Sequence, residues 1–178
     1  MSSASKMKVL YSIIIFLSLS FLLACRGKDR DDNVKGRLSR DQLAEINRQL
    51  IIKDRERIMN YIERKDLDMK ETDTGLWISS NIPSKGGISE GDHVVLEYKC
   101  SLLDGSLIYD SDRDGLLRFE VGKPDVPSGL NEGVKLLDRG SEAVMILPGY
   151  LGYGLLGDED RIPARSVLVY RIKVLEVD

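Results

Sequence analysis

Few residues in this chain of 178 are able to do acid–base, nucleophilic or metal chemistry. There is one histidine, His93, and there are two cysteines, Cys25 and Cys100; a Cys/His zinc site takes four ligands at close spacing and is excluded. His93 has no second histidine to work with and reads as a solvated residue at a strand edge. The run Asp158-Glu159-Asp160 reads as a solvated loop, since its spacing does not match a calcium-binding loop. No phosphate loop, nucleophile elbow, zinc-protease helix or dinucleotide fingerprint occurs, so neither a metal nor a cofactor is expected. Lys and Arg total 26 against 29 acids, a net charge of −3, which lacks the basic excess a nucleic-acid backbone needs. Aromatic residues make up only 6% of the chain, yet Tyr98, Tyr109, Phe119, Tyr150, Tyr153 and Tyr170 all fall in its second half among glycines and prolines. That concentration, rather than any charged group, marks the region the fold has to position.

The chain opens on an address. Lys6 and Lys8 precede an apolar stretch from Val9 to Ala24, too short for a bilayer span of about 20 residues but fitting a secretory signal. Leu22-Leu23-Ala24-Cys25 resembles the lipobox of bacterial lipoproteins, in which the cysteine is acylated after cleavage of the leader (residues 1–24). The alternative is an ordinary signal followed by a chance cysteine. Acylation at Cys25 implies a cell-envelope location and a membrane contact through lipid, because two or three acyl chains hold stably where one is marginal. It also leaves Cys100 as a lone thiol with no disulfide partner.

Residues 25–38 are almost devoid of apolar side chains through Lys35 and read as a solvated tether. Ser39-Arg40-Asp41-Gln42 has the form of a capping box, and Leu43, Ile46 and Leu50, then Ile51, Ile58 and Ile62, lie at helical spacing. This predicts an amphipathic helix to about Arg64 within a segment 39–72. Its apolar face either packs on the following domain or forms a dimer seam. Within 73–178, Gly75 to Ile78, Val94 to Cys100, Ala143 to Leu147 and Val167 to Val177 read as strands, Pro83 to Gly91 as a turn region, and Asp104-Gly105 as a hairpin turn. Leu130, Val134 and Leu137 predict a short helix stopped at Gly140. Strands not separated by regular crossover helices argue for an antiparallel sheet with a covering helix, an α+β fold.

The order and spacing of Tyr109-Asp110-Ser111, Val121-Gly122-Lys123, Gly129-Leu130-Asn131-Glu132-Gly133-Val134, Tyr153-Gly154 with Gly157, and Ile162-Pro163 resemble the FK506-binding-protein family of peptidyl-prolyl isomerases from about Gly75 to Val177. With the lipobox and the helix, the chain looks most like the gliding-motility-associated isomerase lipoproteins. The resemblance implies a five-stranded antiparallel sheet wrapped around a short helix, with a shallow apolar pocket between them and proline-containing polypeptides as clients. It places the pocket tyrosine at Tyr98 and the family's Phe-Asp pair at Tyr109 and Asp110, with Asp110 expected to order the site by pairing with the Tyr98 hydroxyl. Leu117 falls on a pocket wall, Val126 and Pro127 on the loop before the helix, and Leu130 on the floor. Tyr153 falls on the hydroxyl that donates to the substrate carbonyl, and Ile162 with Tyr170 on the far wall. Against the family pattern, Pro127 lacks a backbone N–H that bonds ligand, Leu117 and Leu130 replace aromatic surface, the stretch Asp110–Phe119 is shorter by about two residues, and one residue is added between Tyr150 and Tyr153; these departures imply weaker ligand binding.

The absence of acid–base machinery suits this reaction. An X–Pro bond isomerises over a barrier of about 18–20 kcal/mol because rotation breaks amide resonance, and no proton or nucleophile is involved. The twisted state has lost much of the imide's dipole, so an apolar pocket disfavours the planar form relative to it. Two readings follow: a lipid-anchored prolyl isomerase that assists the folding of envelope proteins, or a non-catalytic module that uses the same pocket to hold partner proteins.

Overall fold

The computed structural model describes residues 38–79, 81 and 86–178; the leader, Cys25, nearly all of the tether and part of the turn region at Pro83 lie outside them. The elements form one unit, Arg40–Asp178. Its helix α1 runs Arg40–Arg64, beginning directly after Ser39 and ending where sequence periodicity placed it. Strands β1 (Met69–Glu71), β2 (Trp77–Ser79), β3 (His93–Leu102) and β4 (Leu107–Asp110) follow, then a single-turn helix α2 (Ser111–Asp114), β5 (Leu117–Glu120), α3 (Ser128–Val134), β6 (Glu142–Leu147) and β7 (Leu168–Val177). All pairings are antiparallel, in the order β1-β2-β6-β7-β3-β4, with β5 also on β3.

The sheet therefore has seven strands where five were expected. One addition is β1, which lies inside the stretch assigned to the helical segment; Asp66, at φ 49°, turns the chain out of α1 and lets Met69–Glu71 pair with β2. The other comes from a division of labour along β3. Residues His93–Leu96 pair with β5 and Lys99–Ser101 with β4 on one edge, while β7 runs along the other. Where the ladder changes partner, the Tyr98 amide donates to Ser111 Oγ at 3.0 Å and that hydroxyl donates to the Tyr98 carbonyl at 3.2 Å. A side chain thus satisfies backbone groups that no strand reaches. The predicted hairpin turn is present, with Gly105 at φ 93° and the Leu102 amide donating to the Ser106 carbonyl at 3.0 Å.

Two clusters occupy opposite faces of the same strands. Ile78, Met145, Leu147, Leu168 and Tyr170 point to the core that α3 closes, whereas Trp77, Ile146, Val167 and Val169 meet Ile58 and Tyr61 of α1. Successive residues of a strand face opposite ways, so covering both faces turns β6 and the start of β7 into unbroken apolar runs. Helix α3 lies close against β6: a Cβ on Gly129 would stand 2.7 Å from Leu147 Cγ. On α1 the apolar face packs on the domain over its second half only. Ile58 and Tyr61 are buried, and Arg55 holds Glu71 of β1 through Nε at 3.0 Å and Nη2 at 2.7 Å, while Leu43, Ile46 and Ile51 remain exposed.

Candidate active site

Eight of the ten residues singled out in the sequence meet in the core that α3 closes. Val126, Leu130, Ile162 and Tyr170 are buried members of that cluster; Tyr98, Tyr109, Leu117 and Tyr153 are half-buried and pack against it. The first group forms the base and the second the rim. Val126 and Pro127 enter α3 through the turn before it, where Pro127 stands at the N-cap and its carbonyl accepts from the Leu130 and Asn131 amides at 3.0 and 3.1 Å. With no N–H of its own, Pro127 gives its carbonyl to the helix and has no backbone donor to offer a ligand. Leu117 enters from β5, opposite Leu96 of β3. Ile162 is carried by the long connection between β6 and β7.

The hydroxyls form a graded set. Tyr98 and Tyr170 stack with ring centroids 6.4 Å apart at 27°. Burial pushes the Tyr170 hydroxyl well above its ordinary pKa, reinforced by Cys100 and Tyr153, to both of which it is hydrogen-bonded. Tyr153 is also raised, mainly by burial, although its bond with Tyr170 acts in the opposite direction. Burial raises Tyr98 as well and pushes the Cys100 thiol up to about 11. At neutral pH these groups are uncharged.

Asp110 departs from expectation. Its carboxylate accepts from the Asp112 amide at 3.0 Å, capping α2, and lies 3.5 Å from Lys99 Nζ, so it is engaged there rather than with the Tyr98 hydroxyl. The residue at β4 that does reach across is its neighbour. Tyr109 donates its hydroxyl to Asp158 Oδ2, and the Arg161 guanidinium lies 4.4 Å from the centre of its ring. Asp158 Oδ1 accepts from the amides of Asp160, Arg161 and Ile162 at 3.1, 2.9 and 2.6 Å. Burial works to raise the Asp158 pKa, but these donors and Tyr109 outweigh it and hold the carboxyl below the ordinary value. Arg161 also bonds Asp114 Oδ1 at 2.9 Å and the Ile108 carbonyl at 3.1 Å. The run read as a solvated loop thus keeps Glu159 and Asp160 in solvent but uses Asp158 to fasten the Ile162 wall to β4. A tyrosine hydroxyl in the place of the family's phenylalanine was the available signal.

Residues 85–175, just over half of the chain, match the model of the family described as FKBP-type peptidyl-prolyl cis-trans isomerase. The chain belongs to that family. It is similar to a probable FKBP-type peptidyl-prolyl cis-trans isomerase of Haemophilus influenzae, 30% identical over 115 residues that cover 64% of this chain and 47% of that one. Similarity to FK506-binding protein 1A of Aspergillus fumigatus is 32% over 90 residues, covering 50% of this chain and 80% of the relative. For the isomerase FKBP9 of Homo sapiens it is 33% over 89 residues, covering 49% of this chain and only 16% of the relative. The crystal structure of FkpA from Escherichia coli superposes with a TM-score of 0.57 at 22% identity, over 99% of this chain and 95% of that one. The isomerase of Pseudomonas syringae pv. tomato does so at 0.59 and 20% identity, over 74% and 95%. Both show the fold.

Within this FKBP-type domain the shallow hollows open on either side of Tyr153. One is bordered by Val126, Pro127 and Gly152, the other by Leu155, Leu156 and Asp158. Tyr153 is the residue that the two hollows share.

Proposed function

We propose that the chain is a peptidyl-prolyl cis-trans isomerase in which the rim of Tyr98, Tyr109, Leu117 and Tyr153 over a base of Leu130, Ile162 and Tyr170 receives the prolyl ring. The observation that carries this reading is the convergence of those residues, from six separate elements and loops, around hydroxyls that are neutral at physiological pH. Tyr153 donates its hydroxyl to the substrate carbonyl. The apolar base strips water from the planar imide. Lowering the barrier by about 4–5 kcal/mol corresponds to roughly a thousandfold in rate. Asp110 and Asp158 act on the shape of the site, because no proton moves in the reaction. A protease-coupled assay on an Ala-Leu-Pro-Phe anilide tests this; no acceleration above background at micromolar protein would leave the non-catalytic binding module as the reading.

The clients fitting the leader are secreted or envelope proteins, with Cys25 acylated and the domain held at a bacterial membrane. The motif Leu22–Cys25 supports this reading. No helix among the described residues is long and apolar enough to cross a membrane. Cys25→Ala should leave an uncleaved precursor or release the protein from the detergent phase. The exposed Leu43 and Ile46 support self-association through the first turns of α1, measurable as a loss of mass in sedimentation on Ile46→Glu.

A further inference from the structure

A second cavity, of about 300 Å³, lies where α1 leaves the sheet. Leu50 and Ile51 of the helix form one wall and Tyr150 and Leu155 of the β6–β7 connection the other, with Asn47, Asp54 and Arg165 as its polar and charged lining. Apart from Leu155, none of these residues borders the prolyl site. Asp54 is only 5% exposed, and its two contacts are long: the Gly149 amide and Arg57 Nη1, each at 3.4 Å. A carboxylate offers about four acceptor positions, so a buried one held this loosely retains capacity for a further donor. Ile51 and Leu155 are 45% and 70% exposed, an apolar rim open to solvent.

Leu155 also borders the hollow that contains Tyr153. The two residues are two positions apart, at most about 7 Å along the chain. Leu155 is therefore common to the hollow beside Tyr153 and to this cavity, which makes the two neighbours. The cavity's chemistry suits an extended polypeptide better than a compact small molecule: apolar walls take a side chain, and a carboxylate within them takes a backbone N–H. We propose that this cavity is a second subsite that holds an apolar residue of the client chain about four residues from the proline, so that long unfolded substrates bind in two places at once. The inference rests on the isomerase reading for its first anchor, and on the cavity alone for its second.

The consequence is a dependence of KM on substrate length that short peptides cannot show. Three labelled peptides with one X–Pro bond separate the cases: a tetrapeptide, and two of about fifteen residues carrying a Leu-Phe pair four residues before or four residues after the proline. At least one long peptide should have a KM at least fivefold below that of the tetrapeptide. Ile51→Glu should remove that advantage while leaving kcat/KM for the tetrapeptide unchanged. Ile52→Glu is the control, since Ile52 is equally exposed on the same helix but does not border the cavity. Equal KM for long and short peptides, or equal losses in the two glutamate variants, would overturn the proposal. So would a fall in sedimenting mass specific to Ile51→Glu, which would assign the cavity to a second copy of the chain. If the tetrapeptide is not turned over at all, the isomerase reading fails, and fluorescence anisotropy with the long peptides and the same two variants still decides the cavity.

Discussion

The two faces of the sheet are built from alternate residues of the same strands and do different work. On the α1 face, Trp77, Ile146, Val167 and Val169 receive Ile58 and Tyr61, and the polar contacts, such as Arg55 on Glu71, lie at the periphery. On the α3 face the apolar core ends in a rim of hydroxyls, with Tyr170 bonded to Tyr153 and Tyr109 to Asp158. One face consumes its apolar surface in docking a helix. The other leaves a half-buried fringe, and that difference, rather than any reactive group, is what makes a site.

Truncation should expose the contrast most strongly. Leu130→Ala and Ile58→Ala each remove a fully buried side chain and should each cost about 2–5 kcal/mol of stability. Below the melting range, Leu130→Ala should also lose most of its activity, while Ile58→Ala should keep kcat/KM within about twofold. Equal activity losses in the two folded variants would dissolve the distinction between the faces.

Next in size is an alkaline effect centred on the α3 face. Burial raises Cys100 to about 11 from an ordinary 9.0, so the unfolded thiol ionises before the folded one. Its stabilisation is whole below pH 9 and is lost as pH rises towards 11, by roughly 2–3 kcal/mol at 1.36 kcal/mol per pH unit. Tyr170 and Tyr153, also raised, act in the same direction above pH 10. Melting temperatures from pH 8 to 11 should fall, and less so in Cys100→Val.

The fastening of the β6–β7 connection is smaller. Asp158→Ala orphans the amides of Asp160, Arg161 and Ile162 and the Tyr109 hydroxyl, and should cost about 1–3 kcal/mol, with a raised KM because the Ile162 wall loosens. Tyr109→Phe removes one of those bonds and should give a weaker version of the same change. A KM unaltered in both would show that the clip only stabilises. Smallest of all is Tyr153→Phe, which removes a neutral hydrogen bond of about 0.5–1.5 kcal/mol and should lower kcat/KM by about three- to tenfold with stability almost unchanged.

What the sequence revealed and what it hid also follows these two faces. The alternation in Val94–Cys100 and in Tyr170–Val174 was readable because one side of each stretch meets the core and the other solvent. The start of α1 was readable from its capping residues. Strand β1 was not, because three residues carry no period, and the exchange of partners along β3 was not, because Ser111 closes it with a side chain rather than a pattern. Most pocket residues were reached through the family resemblance, residue by residue. Asp158 was not, since an acid run looks the same whether its first carboxylate faces water or gathers three amides and a tyrosine. Asp110 was misjudged for a related reason: a carboxylate next to a helix start caps that helix before it reaches for a more distant hydroxyl.

The dependence of kcat/KM on pH, measured with the Ala-Leu-Pro-Phe anilide from pH 6 to 9, bears most directly on catalysis by an uncharged pocket. Tyr98, Tyr153, Tyr170 and Cys100 are all displaced upward by burial, and Asp158 is held below its ordinary value, so none of these five groups titrates in that range. Desolvation with a neutral hydroxyl donor predicts a flat line, at a rate roughly a thousandfold above the uncatalysed one. A slope approaching one in either limb, which would mean that an ionising group takes part, or no acceleration anywhere in the range, would contradict it.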